Sequence, residues 1–156
     1  GGYVANFAML STLPQRGDLL LLDEPFDGID TSTRKRIRQR LIDYIAGNPQ
    51  RSVVMASHRP EDFTGLATHV MQVFDHEVSR PVPLDAARLC FPTVTGPTAK
   101  IEELAARFSV AESASLGPMT RVTFAEPIGE DDIHLPIEYP DDPELIDLLA
   151  TERPER

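Results

Sequence analysis

Apolar and polar positions change period several times along this chain. Leu19-Leu20-Leu21-Leu22 is apolar at every position, with Asp23-Glu24 directly behind it. An unbroken apolar run of this length fits a strand buried on both faces in the middle of a parallel sheet. Upstream, Tyr3, Phe7, Leu10 and Leu13 recur at helical spacing and predict a helix, stopped by Pro14 and Gly17. Downstream, Asp30 or Thr31 can cap a helix over 32–45, with Ile37, Leu41 and Tyr44 or Ile45 as its apolar stripe and Gly47-Asn48-Pro49 as its stop. Ser52–Ala56 is a second apolar strand, so strand, helix and strand form a βαβ unit, parallel and right-handed. Pro60 opens a short helix to about Ala67. Val70–Phe74 is a third strand, followed by a turn at 75–77.

The pattern breaks at Ser79-Arg80-Pro81-Val82-Pro83. Residues 80–88 read as a linker. Beyond it, Leu89–Thr95 predicts a strand, Thr98–Phe108 a helix with Ile101, Leu104, Ala105 and Phe108 on one face, and Glu112–Phe124 one or two further strands. Residues 89–125 therefore form a small α/β module. The last segment, 126–156, is acidic and Pro-rich, with a short helix over 143–150.

A length of 156 residues suits a modest core, and 41% hydrophobic content is globular. The net charge of −10 argues against nucleic acid or an anionic membrane surface as the main partner. Much of it belongs to the tail, where eleven acids from Glu126 onward face only Arg153 and Arg156. A lone Cys90 excludes an internal disulfide and fits a reduced thiol. No run approaches a membrane span, and the start carries no secretory signal. Opening on Gly1-Gly2 without Met suggests a piece of a longer protein.

The candidate chemistry gathers at one sheet edge. A buried strand ending in two carboxylates tolerates them where it emerges into a wet site, and ligands of open α/β sheets bind at that carboxyl end. Asp23-Glu24 has the form of a Walker B motif, where the first acid assists Mg²⁺ and the second polarises the attacking water. Ser57-His58 directly follows the second strand, placing His58 at the same edge. Gly1-Gly2 at a helix start would offer backbone amides to an anion. Arg34, Lys35, Arg36, Arg38 and Arg40 read as a solvated helix face, and His69, His76 and His134 receive no role. No G-x-x-x-x-G-K-[ST] phosphate loop occurs.

In this order and at these separations, the motifs over 1–79 resemble the second half of an ABC-type ATPase, the nucleotide-binding subunit of ATP-binding cassette transporters. Leu19–Glu24 resembles Walker B, and Pro25–Asp30 the D-loop, with Ile29 where Leu is usual. Ser57-His58 resembles the H-loop, and 70–77 the strand and turn after it. Gly1-Gly2 resembles the glycines of the signature motif, with Tyr3 where Gln is usual. The resemblance implies a P-loop NTPase-like parallel sheet with flanking helices, lacking its phosphate-loop half, followed by the small C-terminal α/β module. It also implies an empty slot between the Ser52–Ala56 and Val70–Phe74 strands, which the phosphate-loop strand fills in the family. ATP and Mg²⁺ are the implied cofactors. Asp23 would assist the metal, Glu24 would act as general base, and His58 would contact the γ-phosphate. Asp30 would act across a dimer interface, and Gly1 and Gly2 would face the opposite subunit's nucleotide. The implied partners are a second ATPase subunit, identical or not, and an integral membrane transport subunit that holds the ATPase at the inner face of the plasma membrane. Without a phosphate loop, this chain alone is expected not to hydrolyse ATP at a meaningful rate. Two alternatives are a soluble ABC ATPase outside transport and a catalytically silent half-cassette that binds a partner.

Overall fold

The computed structural model describes residues 6–10, 18–74 and 76–151, the first segment as backbone. Two sheets carry the architecture, a mixed α/β arrangement with parallel and antiparallel pairings. The first contains β1 (Asn6–Leu10), β2 (Leu19–Asp23), β3 (Ser52–Ser57), β4 (His69–Phe74), β5 (Glu77–Val78) and β6 (Val82–Pro83). Its order is β2-β3-β1-β4-β5, with β6 also paired to β4. β2 and β3 are parallel, in register from Leu19↔Ser52 to Asp23↔Ala56. Helix α1 (Thr31–Ala46) connects them, completing the βαβ unit.

Two expectations about the first sheet's strands are corrected. Residues 6–10 form a strand where the apolar spacing predicts helix, and that strand lies antiparallel between β3 and β4. The slot expected to be empty is therefore filled. Short apolar runs do not distinguish strand from helix by spacing, and two facing strand edges supply hydrogen-bond partners that local preference cannot outweigh. The leucine run is the second correction. Among the described residues β2 is an outer strand with one neighbour, and Leu19 and Leu21 are 48% and 67% exposed. Only Leu20 and Leu22 pack against the core.

Helix α1 starts where Asp30 accepts hydrogen bonds from the Ser32 and Thr33 amides. Leu41 is its buried residue and Ile37 packs beside it. The main core lies on one side of the first sheet, among Met55, Phe26, Phe63, Val70 and the helix α4 residues Leu145, Ile146 and Leu148 (α4, Asp142–Thr151). Burying each such side chain is worth about 1.5–3 kcal/mol. A single turn of 3₁₀-helix, Pro60–Phe63, stands where a longer helix is predicted.

The stretch 80–88 carries β6 and helix α2 (Leu84–Arg88), with Leu84 and Ala87 in the main core. The strand expected over 89–95 instead starts later, as β7 (Thr93–Pro97). Helix α3 (Thr98–Ala105) follows, then β8 (Val110–Leu116), β9 (Met119–Phe124) and β10 (Ile137–Glu138). They form an antiparallel sheet of order β10-β7-β9-β8. Val94, Ile101, Leu104, Val122 and Phe124 make its own core. The tail helix is tied in by Arg88, whose guanidinium pairs with Asp142 at 2.5 Å. No helix among the described residues is long and apolar enough to cross a membrane.

Candidate functional site

The site lies where parallel β2 and β3 end side by side. The Glu24 amide donates to the Ala56 carbonyl at 2.9 Å, the last rung of that ladder. Glu24 then takes a left-handed backbone (φ 44°), uncommon for a residue with a Cβ. Such strain persists where surrounding contacts hold it, often at functional positions. Here the turn closes through the Asp27 amide donating to the Glu24 carbonyl, and Gly28 supplies a second left-handed position (φ 66°).

The turn aims the Glu24 carboxylate across at β3. Its Oε1 accepts from the His58 amide (3.1 Å) and faces His58 Nδ1 (2.9 Å). Its Oε2 lies 3.2 Å from the Ser57 hydroxyl, whose single proton it shares with the nearer Asp62. Burial works against ionisation, but the bonds from the His58 ring, Ser57 and the His58 amide hold this carboxyl below its usual value. Arg59 Nε lies 3.5 Å from His58 Nε2, so the contacts assign the proton of a neutral ring to Nδ1. A carboxylate offers about four acceptor positions. These contacts use three, leaving one on Oε2 to take a proton from water.

Behind this pair lies a network that the sequence reading did not single out. Asp62 is buried (2% exposed) and accepts from the Ser57 hydroxyl at 2.7 Å. Arg34 pairs with it at 2.7 Å and also donates to the Phe26 carbonyl at 3.2 Å. Arg34 and Arg38 both stack on the Phe26 ring. The basic run on α1, read as a solvated face, thus sends two members inward. An acid just after Pro60 looks like a surface residue of a first helical turn. Its burial follows from packing that no local signal announces.

Asp23 ends β2 exposed, and no described residue pairs with its carboxylate. Mg²⁺ binds through one or two carboxylates completed by water and phosphate oxygens. Asp23 fits that partial role. Among the described residues no group of three or more His, Cys, Asp or Glu is arranged to hold an ion by itself. Asp30 stands apart from the Glu24–His58 pair, its carboxylate occupied as the α1 cap by Ser32 and Thr33. Gly1 and Gly2 lie outside the described residues.

No protein-family model matches the chain. Curated relatives do. An aliphatic sulfonates import ATP-binding protein of Rhodococcus jostii is 33% identical over 88 residues, 56% of this chain and 36% of that protein. The ABC transporter ATP-binding protein YtrB of Bacillus subtilis is 31% identical over 84 residues, 54% of this chain and 28% of its own length. A thiamine import ATP-binding protein of Ruegeria is 30% identical over 86 residues, 55% of this chain and 37% of its own. The chain thus spans 28–37% of the length of these relatives. Over slightly more than half of its residues it resembles ABC transporter ATP-binding proteins, as a partial ABC-type ATPase does.

Proposed function

We propose that this chain is part of an ATP-binding and ATP-hydrolysing subunit of an ABC transporter, with a P-loop NTPase-like sheet whose phosphate-loop half it does not contain. The observation that carries this reading is the meeting of Glu24 and His58 at the carboxyl end of parallel β2 and β3, 2.9 Å apart. Residues 1–79 would be the cassette portion and 89–125 an appended module, joined through 80–88 and followed by the acidic tail 126–156 with its short helix.

Hydrolysis of ATP is phosphoryl transfer to water, dominated by positioning and charge stabilisation. Bound Mg²⁺ would neutralise phosphate charge, and Asp23 would help hold it. Glu24 would accept the proton of the attacking water at the open position on Oε2. His58 would orient Glu24 through Nδ1 and, when its other nitrogen also carries a proton, donate to the γ-phosphate. Asp30, Gly1 and Gly2 would act across a head-to-tail dimer with a second ATPase subunit. The assembly would sit on the cytoplasmic face of a membrane transport subunit. The import functions in the relatives' names belong to those proteins.

Measuring ATP turnover by the chain alone, and by the native polypeptide that contains it, tests the reading. The chain alone is expected to be inactive. In the native polypeptide, Glu24→Gln should reduce turnover by about 10²–10⁴-fold while nucleotide binding persists. Full turnover by the Gln variant would refute the role of Glu24. A native mass of 17.3 kDa with no ATP binding would favour the silent half-cassette.

A further inference from the structure

Ser57 stands between two carboxylates. Its hydroxyl oxygen is 2.7 Å from Asp62 Oδ2 and 3.2 Å from Glu24 Oε2. The side chain is fully buried, out of reach of bulk water. A hydroxyl has one proton to give. The shorter contact has the usual length for a hydroxyl donor, and the longer one lies beyond that range. The proton therefore points mainly at Asp62. On its other side the hydroxyl oxygen accepts from the Arg59 amide at 3.2 Å.

This direction matters for Glu24. Its Oε1 is taken by the amide and Nδ1 of His58, so Oε2 is the oxygen that faces the incoming water. A Ser57 proton turned fully onto Oε2 would compete with that water, and a carboxylate that accepts a further strong bond holds the next proton less well.

Asp62 keeps its hold on the hydroxyl because it is itself fixed. Arg34 Nη1 pairs with Oδ1 at 2.7 Å, Nη2 reaches the Phe26 carbonyl, and the guanidinium stacks on the Phe26 ring. Arg38 donates to the Asp62 backbone carbonyl. An arginine can only donate, so whatever faces Arg34 must accept. In Asp62→Asn the amide oxygen must turn to Arg34, and the NH₂ group to Ser57. The hydroxyl oxygen would then accept twice, from that NH₂ and from Arg59, and its proton would be left Glu24 as its acceptor. We propose that Asp62 is a positioning residue that draws the Ser57 proton away from Glu24 and so keeps Oε2 available to the attacking water. The inference rests on the hydrolytic role proposed for Glu24, and it adds the group that keeps that role open.

The test uses the native polypeptide that contains this chain. In a crystal structure of Asp62→Asn, the Ser57–Glu24 contact should shorten from 3.2 Å to about 2.7 Å. The kcat for ATP should fall at least about tenfold, the worth of one bond to a charged group, with KM little changed. Adding Ser57→Ala removes the misdirected proton, so the double variant should turn over at least about fivefold faster than Asp62→Asn alone. A core that was only destabilised would not regain activity on losing a second side chain. An unchanged Ser57–Glu24 distance in Asp62→Asn would overturn the proposal, as would a double variant no faster than the single one. Full turnover by Asp62→Asn beside an inactive Glu24→Gln would also overturn it, with the hydrolytic reading left standing. Full turnover by Glu24→Gln would instead overturn the reading on which the proposal rests.

Discussion

Asp62 is the position where removal of a few atoms should cost the most. Two charge-assisted hydrogen bonds end on its carboxylate, from Arg34 and from Ser57, both at 2.7 Å. Bonds to charged groups contribute about 1.5–3 kcal/mol each. Asp62→Ala removes both and leaves the fully buried Ser57 hydroxyl only the longer bond to Glu24 for its proton, with the Arg59 amide still donating to its oxygen. Arg34 is 23% exposed and retains the Phe26 carbonyl, so water and that carbonyl recover part of its loss. The expected destabilisation is about 3 kcal/mol, the low end of the range for breaking a buried pair from one side. Asp62→Asn keeps the shape and one acceptor but loses the charge, for about half that cost. In urea unfolding, with a slope of about 2 kcal/mol per molar, the midpoint should fall by about 1.5 M for Ala and about 0.7 M for Asn. A fall below about 0.3 M for Ala, or equal falls for the two variants, would refute the argument that these bonds hold the loop after β3.

Three further outcomes follow from named geometry. Gly28→Ala should destabilise by about 1–2 kcal/mol in thermal melts, because its φ is 66° while its missing Cβ would meet nothing within 4 Å; Asn should be milder. Asp30 accepts bonds from the Ser32 hydroxyl and from the Ser32 and Thr33 amides, which hold its carboxyl well below the ordinary aspartate value of 3.8. Its contribution is present above that value and lost as pH falls through the lower folded one, so Asp30→Asn should destabilise at pH 7 and converge with the parent at strongly acid pH. Asp147 behaves oppositely. Burial, and then the nearby Glu61 charge, push its carboxyl up. The stability it contributes is present below 3.8 and lost as pH rises through its folded value. Asp147→Asn should therefore melt higher than the parent at pH 7 and match it near pH 3.

Local rules suffice for much of the chain. Asp30 as cap, the apolar stripe through Ile37 and Leu41, and the stop at Gly47 define α1 to within a residue or two of Thr31–Ala46. A β-branched, apolar Ser52–Ala56 leaves little choice but a strand, and one intervening helix obliges it to run parallel to β2. From that topology alone Glu24 and His58 must share an edge. The resemblance to an ATPase was legible for the same reason, because motif spacing survives without tertiary information.

Other features depend on what lies across space. Residues 6–10 can be helix or strand on their own, and the open flanks of β3 and β4 decide for strand. Four leucines promise burial, yet half of them face outward because no strand or helix described here covers β2 on that side. Leu84 and Ala87 look like linker residues until α4 supplies the surface that buries them. Asp62 looks like a surface acid until Arg34 and Ser57 close over it. Hydrogen-bond caps and periodicity act over a few residues and can be read along the chain. Burial and ion pairing depend on neighbours tens of residues away, and only the assembled fold states who they are.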